Sequence, residues 1–290
     1  MSFFEELAHQ ISANAADVAR GEFPVTIARA GDIDEFKEMV RGYRLRFMQI
    51  EKGPFVAEAV QTQLAGAQLT AAHYGRAMVQ LGEPPSGKIT FALLTSEVPA
   101  LWQGRVFGRC DLLVGTPGVE MDMVSRAGYG GATASFPQEL VGEIAECCGW
   151  LRTAQAPASL IIGLEQSRAD MLRTCLGEVF REVIARPFND QAATWVLSEQ
   201  EDLLRLLLRC TSHPASKTMS ISNGERARVL KAALAAINDQ PEDVITVASL
   251  CRIAKASERT LDYAFTERFG LSPALYMKAR RLNGARDDLR

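Results

Sequence analysis

The chain has 290 residues, of which 47% are hydrophobic and 23% are charged, and its formal net charge is −3. This balance is typical of a globular protein of about two domains and excludes a disordered or fibrous chain. No apolar run approaches the roughly 18 residues of a membrane-spanning helix, and the N-terminus, MSFFEELAHQ, does not resemble a secretory signal. We therefore expect a cytoplasmic protein that does not enter a membrane.

The first part of the chain is expected to change from helix to strand. Residues 1–40 have a mainly helical pattern, and DIDEFKEMV predicts a short helix that Asp32 or Asp34 can cap. Over residues 43–135, short runs such as YRLRFMQIEKG, GKITFALLT and DLLVGTPG alternate with period two and are separated by Gly and Pro. This pattern predicts a β-barrel or jelly roll.

Helical periodicity returns over residues 137–210. Its longest segment, residues 164–186, has an apolar stripe formed by Leu172, Leu176, Val179 and Val183. We expect this helix to pair two protomers of a homodimer; the alternative is that the stripe packs on the protomer's own β region. Residues 211–224 are polar and contain Pro and Gly, which is typical of a linker. The first domain is therefore predicted to span residues 1–210.

The residues that could bind a metal ion are scattered. The six cysteines lack C-x-x-C spacing, and His9, His73 and His213 lie in different regions of the chain. No G-x-S-x-G or phosphate-binding loop is present either. We therefore expect no metal site, no cofactor, no enzymatic activity, and cysteines that remain reduced thiols.

The C-terminal segment predicts two short helices joined by a tight turn. Thr246 can cap the first, TVASLCRIA, in which Val247, Leu250 and Ile253 are expected to face inward. Ser257 can cap the second helix, which Gly270 ends, and Ser272-Pro273 opens a third. The buried stripe of the second helix is predicted to comprise Leu261, Ala264, Phe265 and Phe269. This arrangement is a helix-turn-helix, whose second helix enters the major groove of DNA.

The same segment resembles the DNA-binding domain of the AraC family of bacterial transcription regulators. The S-x-R-x-L-x-x-x-F core occurs as Ser257, Arg259, Leu261 and Phe265, and FGLSPALY follows at the expected spacing. The resemblance covers about residues 222–290, which carry 12 basic and 9 acidic side chains on a chain that is acidic as a whole. A basic end on an acidic body fits contact with DNA.

The resemblance implies an α+β protein. An N-terminal cupin-like barrel would sense an effector, dimerisation helices would follow it, and an all-α helix-turn-helix domain would bind promoter DNA. The family has two helix-turn-helix units joined by a long helix. Here the first unit and most of the joining helix are present and the second unit is absent. The chain as printed is therefore expected to be an incomplete DNA-binding domain, either shortened or natural in this form.

By the resemblance, Arg259, Asp262 and Tyr263 face the groove. An arginine can donate to two guanine acceptors, and an aspartate can accept from a cytosine amine. Ser257, Thr260 and Arg281 are expected to contact phosphates, which set register without reading sequence. The alternative for Arg259 and Asp262 is a surface ion pair.

The effector is expected to be an anion. Arg44 and Arg46 fall on one face of the predicted strand YRLRF because side chains alternate along a strand. The remaining candidate effector residues are Arg41, Arg76 and Lys88. The string RGYRLRF also resembles, imperfectly, the R-x-x-x-R motif of PilZ domains, which bind cyclic di-GMP. The effector alternatives are cyclic di-GMP, another small anion, and a neutral or apolar metabolite. The arginines could instead form a solvated strand face. The alternative function is a ligand-binding protein that has lost DNA binding.

Overall fold

A computed structural model of the chain describes residues 26–64, 66–148, 159–185, 190–212, 219–220, 225–239 and 245–288. The helices of these ranges are α1 (Ile33–Met39), α2 (Gln138–Cys147), α3 (Gln166–Ala185), α4 (Asp190–Ser212), α5 (Glu225–Asp239), α6 (Val247–Ala254), α7 (Glu258–Phe269) and α8 (Pro273–Asp288). The strands are β1 (Thr26–Ala30), β2 (Arg44–Gln49), β3 (Ala57–Leu64), β4 (Ala67–Tyr74), β5 (Met78–Glu83), β6 (Lys88–Leu94), β7 (Ala100–Trp102), β8 (Arg105–Phe107), β9 (Asp111–Gly115), β10 (Met121–Ser125), β11 (Tyr129–Pro137), β12 (Ser159–Gly163) and β13 (Met219–Ser220).

The strands form two antiparallel sheets that face each other. The larger sheet has eight strands in the order β1-β3-β4-β11-β6-β9-β12-β13, and the smaller has five in the order β2-β5-β10-β7-β8. Side chains alternate between the two faces along each strand, so the period-two pattern in the sequence predicts such sheets. The α+β fold class is confirmed.

The space between the sheets is filled by aromatic side chains. Phe36 of α1 lies at the centre, with ring centroids 5.3 Å from Phe47, 6.0 Å from Phe55 and 5.6 Å from Tyr74, all edge to face. Tyr74 in turn stacks on Tyr129 at 5.4 Å. Asp32 is the residue that caps α1, by accepting a hydrogen bond from the amide of Asp34. The cap fixes where α1 begins and so where Phe36 points.

The outer face of the larger sheet is covered by helices α2, α3 and α4. The stripe predicted for dimerisation lies in this core, where Leu172, Leu176, Val179 and Val183 are each 4% exposed or less. The dimerisation role of this stripe is therefore wrong, because its side chains pack on the protomer's own sheet. Periodicity showed that one face of the helix is buried but not which surface covers it.

The outer face of the smaller sheet is covered by the C-terminal helices. A row of apolar side chains crosses this face in register, formed by Met48, Val79, Val124 and Leu101 on β2, β5, β10 and β7. The row shares one hydrophobic core with α5 to α8. Asn283 of α8 also bonds both backbone groups of Gln49, at 3.3 and 3.2 Å.

Several elements differ from the sequence-based expectation. Strand β1 lies in a stretch expected to be helical, and β12 and β13 lie beyond residue 135, where only helices and a linker were expected. Short buried strands such as SLIIG give no alternation that could separate them from helix. The pattern expected for residues 1–25 lies outside the described residues.

The aromatic interior predicts a large effect of Phe36→Ala. Removing a buried phenylalanine ring leaves a cavity and costs roughly 3–5 kcal/mol of unfolding free energy, and Phe36 is 0% exposed. The matched control is Val106→Ala, because Val106 is 67% exposed. Urea denaturation followed by circular dichroism measures both. Equal unfolding free energies for the two variants would contradict the central position of Phe36.

Candidate DNA-binding surface and interdomain cleft

Caps fix both ends of α6 and the start of α7, and so define the turn between the two helices. The Thr246 side chain accepts from the amide of Ser249 and the Ser249 side chain accepts from the amide of Thr246, which makes a capping box for α6. The helix ends at Lys255, whose φ of 49° is left-handed. Ser257 then caps α7, its hydroxyl accepting from the Thr260 amide at 3.2 Å. Three residues, 255–257, therefore join the two helices.

The buried face of α7 sets its orientation. The predicted stripe is confirmed: Leu261, Ala264, Phe265 and Phe269 are each 3% exposed or less. Tyr276 of α8 packs on this stripe, with ring centroids 5.4 Å from Phe265 and 4.6 Å from Phe269. Gly270 ends the helix with a φ of 67°, which a residue with a side chain adopts at a cost. One predicted inward residue, Ile253 of α6, is instead 49% exposed.

The opposite face of α7 carries the predicted base-reading residues, and all three are exposed. Arg259 donates to the Tyr263 hydroxyl at 3.2 Å, and its guanidinium carbon lies 5.4 Å from the Tyr263 ring centroid. The alternative ion pair between Arg259 and Asp262 is not formed in the described residues, because Arg259 turns toward Tyr263. Arg226 of α5 lies on the same ring at 5.9 Å. The side chains of Arg259, Tyr263 and Arg226 therefore lie together on one surface.

The predicted phosphate-contacting residues are divided between two helices. Ser257 and Thr260 share the first turn of α7, with their hydroxyls 2.9 Å apart. Arg281 is exposed on α8. The N-terminus of a helix, with its free amides, favours an anionic group such as phosphate.

A partly buried ion pair joins the helix-turn-helix to the smaller sheet. Nε of Arg268, near the end of α7, donates to Oδ2 of Asp122 on β10 at 2.5 Å. Burial raises the pKa of Asp122 to about 6, and the Arg268 charge opposes part of the rise. The other carboxylate oxygen, Oδ1, is buried and has no hydrogen-bond partner. The contact therefore fixes the position of α7 on the sheet at an electrostatic cost.

Three of the predicted effector residues lie along one stretch of chain. Arg41 is exposed, and its backbone bonds the buried side chains of Gln61 and Gln68. Arg44 and Arg46 share the outer face of β2, as predicted. Arg44 forms an exposed ion pair with Glu83.

The structure separates the remaining effector residues from that stretch. Arg76 precedes β5 at the other end of β2, and its Nε is buried without a hydrogen-bond partner. Lys88 begins β6 in the larger sheet, where burial lowers its pKa. The five cations therefore do not form a single site.

A cleft of about 850 Å³ lies between the smaller sheet and the helix-turn-helix. Arg46 lines it and donates to Asn238 of α5 at 3.1 Å. Other lining residues include Asp122, Arg268 and Lys231, which the sequence analysis did not single out. The sequence has one signal for Asp122. It is an acidic residue in the strand MDMVS, at a position that shares a face with the apolar Val124.

Within the described ranges, no group of three or more His, Cys, Asp or Glu side chains is placed to hold a metal ion. No helix in these ranges has the length and apolar character to cross a membrane.

The sequence matches no protein-family profile and no curated protein. Among solved structures, the fold is similar to the AraC-like transcriptional activator CuxR, with 15% identity over 90% of this chain and 94% of CuxR and a TM-score of 0.49. It is also similar to fatty-acid-bound ToxT from Vibrio cholerae, with 7% identity, 85% and 80% coverage and a TM-score of 0.29. Vicilin from hazelnut, Corylus avellana, has 9% identity, 69% and 54% coverage and a TM-score of 0.25. All three TM-scores lie below 0.5.

The raised pKa of Asp122 predicts a pH dependence of stability. The ordinary pKa is 3.8, so between about pH 4 and pH 6 the folded protein binds a proton that the unfolded chain has lost. The free energy of unfolding therefore falls as the pH rises through this window, by roughly 3 kcal/mol in all.

Asp122→Asn, which cannot ionise, should lose this component. Urea denaturation of both proteins at pH 4, 5, 6 and 7 measures it, and the wild type should lose stability relative to the variant as the pH rises. A difference that stays constant over this range would contradict the assignment.

Proposed function

We propose that the protein is an effector-responsive, DNA-binding transcription regulator of AraC type. One observation carries this proposal: α7 is capped at both ends, buried along one face, and exposes Arg259, Asp262 and Tyr263 together on the other. This is what a recognition helix needs, because its base-reading side chains must project from a rigid support.

In this proposal the exposed residues of α7 have separate roles. Arg259 reads guanine and Asp262 accepts from cytosine in the major groove. Tyr263 contacts a thymine methyl or a phosphate. Ser257, Thr260 and Arg281 bind phosphates and set the register of the helix on DNA.

The β-sheet domain, which we take to be cupin-like, would bind the effector. An anion is supported by the exposed guanidinium groups of Arg41 and Arg46, since arginine binds phosphate in a bidentate manner. We propose cyclic di-GMP as the first candidate, on the likeness of RGYRLRF to the PilZ motif. A neutral or apolar metabolite is the alternative effector.

Control of transcription would act through the contact between the two domains. The helix-turn-helix packs on the smaller sheet through one hydrophobic core and the ion pair of Asp122 and Arg268. An effector that binds one arrangement of the domains better than another shifts the balance between them. We further propose that the regulator acts in the cytoplasm as a homodimer, because paired DNA half-sites suit a two-fold symmetric protein.

The base-reading role predicts that Arg259→Ala loses sequence discrimination. Loss of one bidentate contact costs roughly 1–3 kcal/mol of preference for the correct base, a fall of about 5- to 150-fold in affinity for the preferred site. The preferred site is first selected from random DNA with the full chain. Gel shifts at one fixed salt concentration then compare the selected site with unrelated DNA.

Arg209→Ala is the control. Arg209 is exposed on α4, so this substitution removes the same charge far from α7. It should leave both affinities unchanged. If Arg259→Ala binds the selected site with unchanged preference, α7 does not read bases. If the wild-type chain selects no sequence at all, the DNA-reading role is rejected, which favours the alternative of a ligand-binding protein that has lost DNA binding.

The effector and dimer proposals are tested together on the full chain. Calorimetry with cyclic di-GMP should give saturable heat at tens of micromolar ligand, and GMP is the control. Sedimentation with and without cyclic di-GMP should give a dimer with ligand present. No heat at this concentration rejects cyclic di-GMP, and a monomer at high protein concentration with ligand rejects the dimer.

A further inference from the structure

The interdomain cleft is open, whereas the space between the two sheets is filled. The interior between the sheets holds the packed rings around Phe36, which is 0% exposed. The cleft instead measures about 850 Å³ and is lined from both domains. This volume falls in the range of about 300–1,000 Å³ that is usual for small-molecule sites.

One wall of the cleft is a polar row on the smaller sheet. Arg46, Leu81 and Asp122 lie side by side across β2, β5 and β10, because Leu81 pairs in register with each of the other two. Neighbouring strands lie about 4.8 Å apart, so the backbones of Arg46 and Asp122 are roughly 10 Å apart. The row lies next to the apolar row that the helices cover, and the cleft opens above it.

The cations of the cleft outnumber its acids. Five basic residues line it, namely Arg46, Arg105, Arg226, Lys231 and Arg268, against the three acids Glu120, Asp122 and Glu267. Two ion pairs, Asp122 with Arg268 and Glu267 with Arg226, engage two of the acids and two of the cations. Three basic residues and one acid then remain. Among the described residues, no carboxylate lies within 4 Å of the charged nitrogens of Arg46 or Lys231. These two cations lie on opposite walls, one on β2 and one on α5.

The charge of Arg46 also acts on a cation of α8. Burial lowers the pKa of Arg280, and the positive charge of Arg46 lowers it further. A doubly charged anion bound at Arg46 would reduce this repulsion.

Apolar side chains also line the cleft, namely Leu230, Leu234 and Tyr276 together with Leu81 of the sheet. A flat ring could pack on these side chains while arginine guanidinium groups bind a phosphate and stack on the ring. A nucleotide combines both parts, a flat base and a phosphate.

We propose that this cleft binds a phosphate-bearing ligand of nucleotide size, held between Arg46 of the sheet and Lys231 of α5. Only the statement that this ligand is the effector rests on the proposed function; the binding site itself does not. A ligand that contacts both walls stabilises one spacing of the sheet and α5. Since α5 belongs to the helix-turn-helix core, binding would fix the DNA-binding helices relative to the sheet.

Pyrophosphate and cyclic di-GMP serve as probes with the full chain. Pyrophosphate should raise the melting temperature at constant ionic strength, and cyclic di-GMP should bind by calorimetry more tightly than GMP. Arg46→Ala and Lys231→Ala should each weaken binding of the active probe at least tenfold. Both residues are exposed, so circular dichroism should show an unchanged fold.

Matched controls remove the same charges elsewhere. Arg29→Ala on β1 and Lys278→Ala on α8 change exposed cations outside the cleft, and each should bind the probes as the wild type does. Arg46→Lys should recover part of the affinity that Arg46→Ala loses, because the charge returns without the planar guanidinium.

Two results would overturn the proposal. The first is a wild-type chain that binds neither probe. The second is full affinity in Lys231→Ala, which places the anion on the sheet alone or at another site. Gel shifts on the wild-type chain without ligand separate this failure from failure of the regulator function, because a retained DNA sequence preference supports the regulator even when the cleft binds nothing. Binding of pyrophosphate without cyclic di-GMP supports the cleft and rejects only that dinucleotide.

Discussion

The structure depends on one constraint, which is that the smaller sheet carries large apolar side chains on both faces. Its inner face carries Phe47 and Trp102, and its outer face carries the row that begins at Met48 and Val79. An exposed apolar row costs about 25 cal/mol for each Å² left in water. The C-terminal helices cover that row, so the place of the helix-turn-helix follows from the pattern of five short strands. The four layers of the protein are then two helical layers with two sheets between them.

The ion pair of Asp122 and Arg268 has a different role from the apolar row. Buried pairs add little net stability, because two charges lose their hydration, but loss of one partner leaves a costly unpaired charge. Apolar contact is non-directional, whereas the hydrogen-bonded pair requires one geometry. We infer that the pair selects the register of α7 on the sheet and that the row supplies the free energy.

The sequence predicts local features well and long-range placement poorly. The caps at Ser257 and Gly270 act within one turn of chain, so both ends of α7 could be placed from the sequence. The stripe of α3 was also located, but its partner surface is set by tertiary packing that periodicity does not contain. Strand β12 was missed because an apolar run of five residues fits helix and strand equally.

The candidate sites follow the same division. Arg259, Asp262 and Tyr263 are close in sequence and share one helix face, so the structure brings them together as expected. Arg76 and Lys88 were grouped with Arg44 by their place in a β region, and the two-sheet topology separates them. Lys231 was not foreseen, because it reaches the cleft from a helix nearly two hundred positions beyond Arg46.

The ring of Tyr263 lies against two guanidinium groups, Arg259 from its own helix and Arg226 from α5. A free arginine side chain loses up to about 2 kcal/mol of rotamer entropy when it becomes ordered. Here part of that ordering occurs during folding, before any DNA is present. The reading face is thus partly rigid in the free protein, and the helix that lines the cleft helps to make it so.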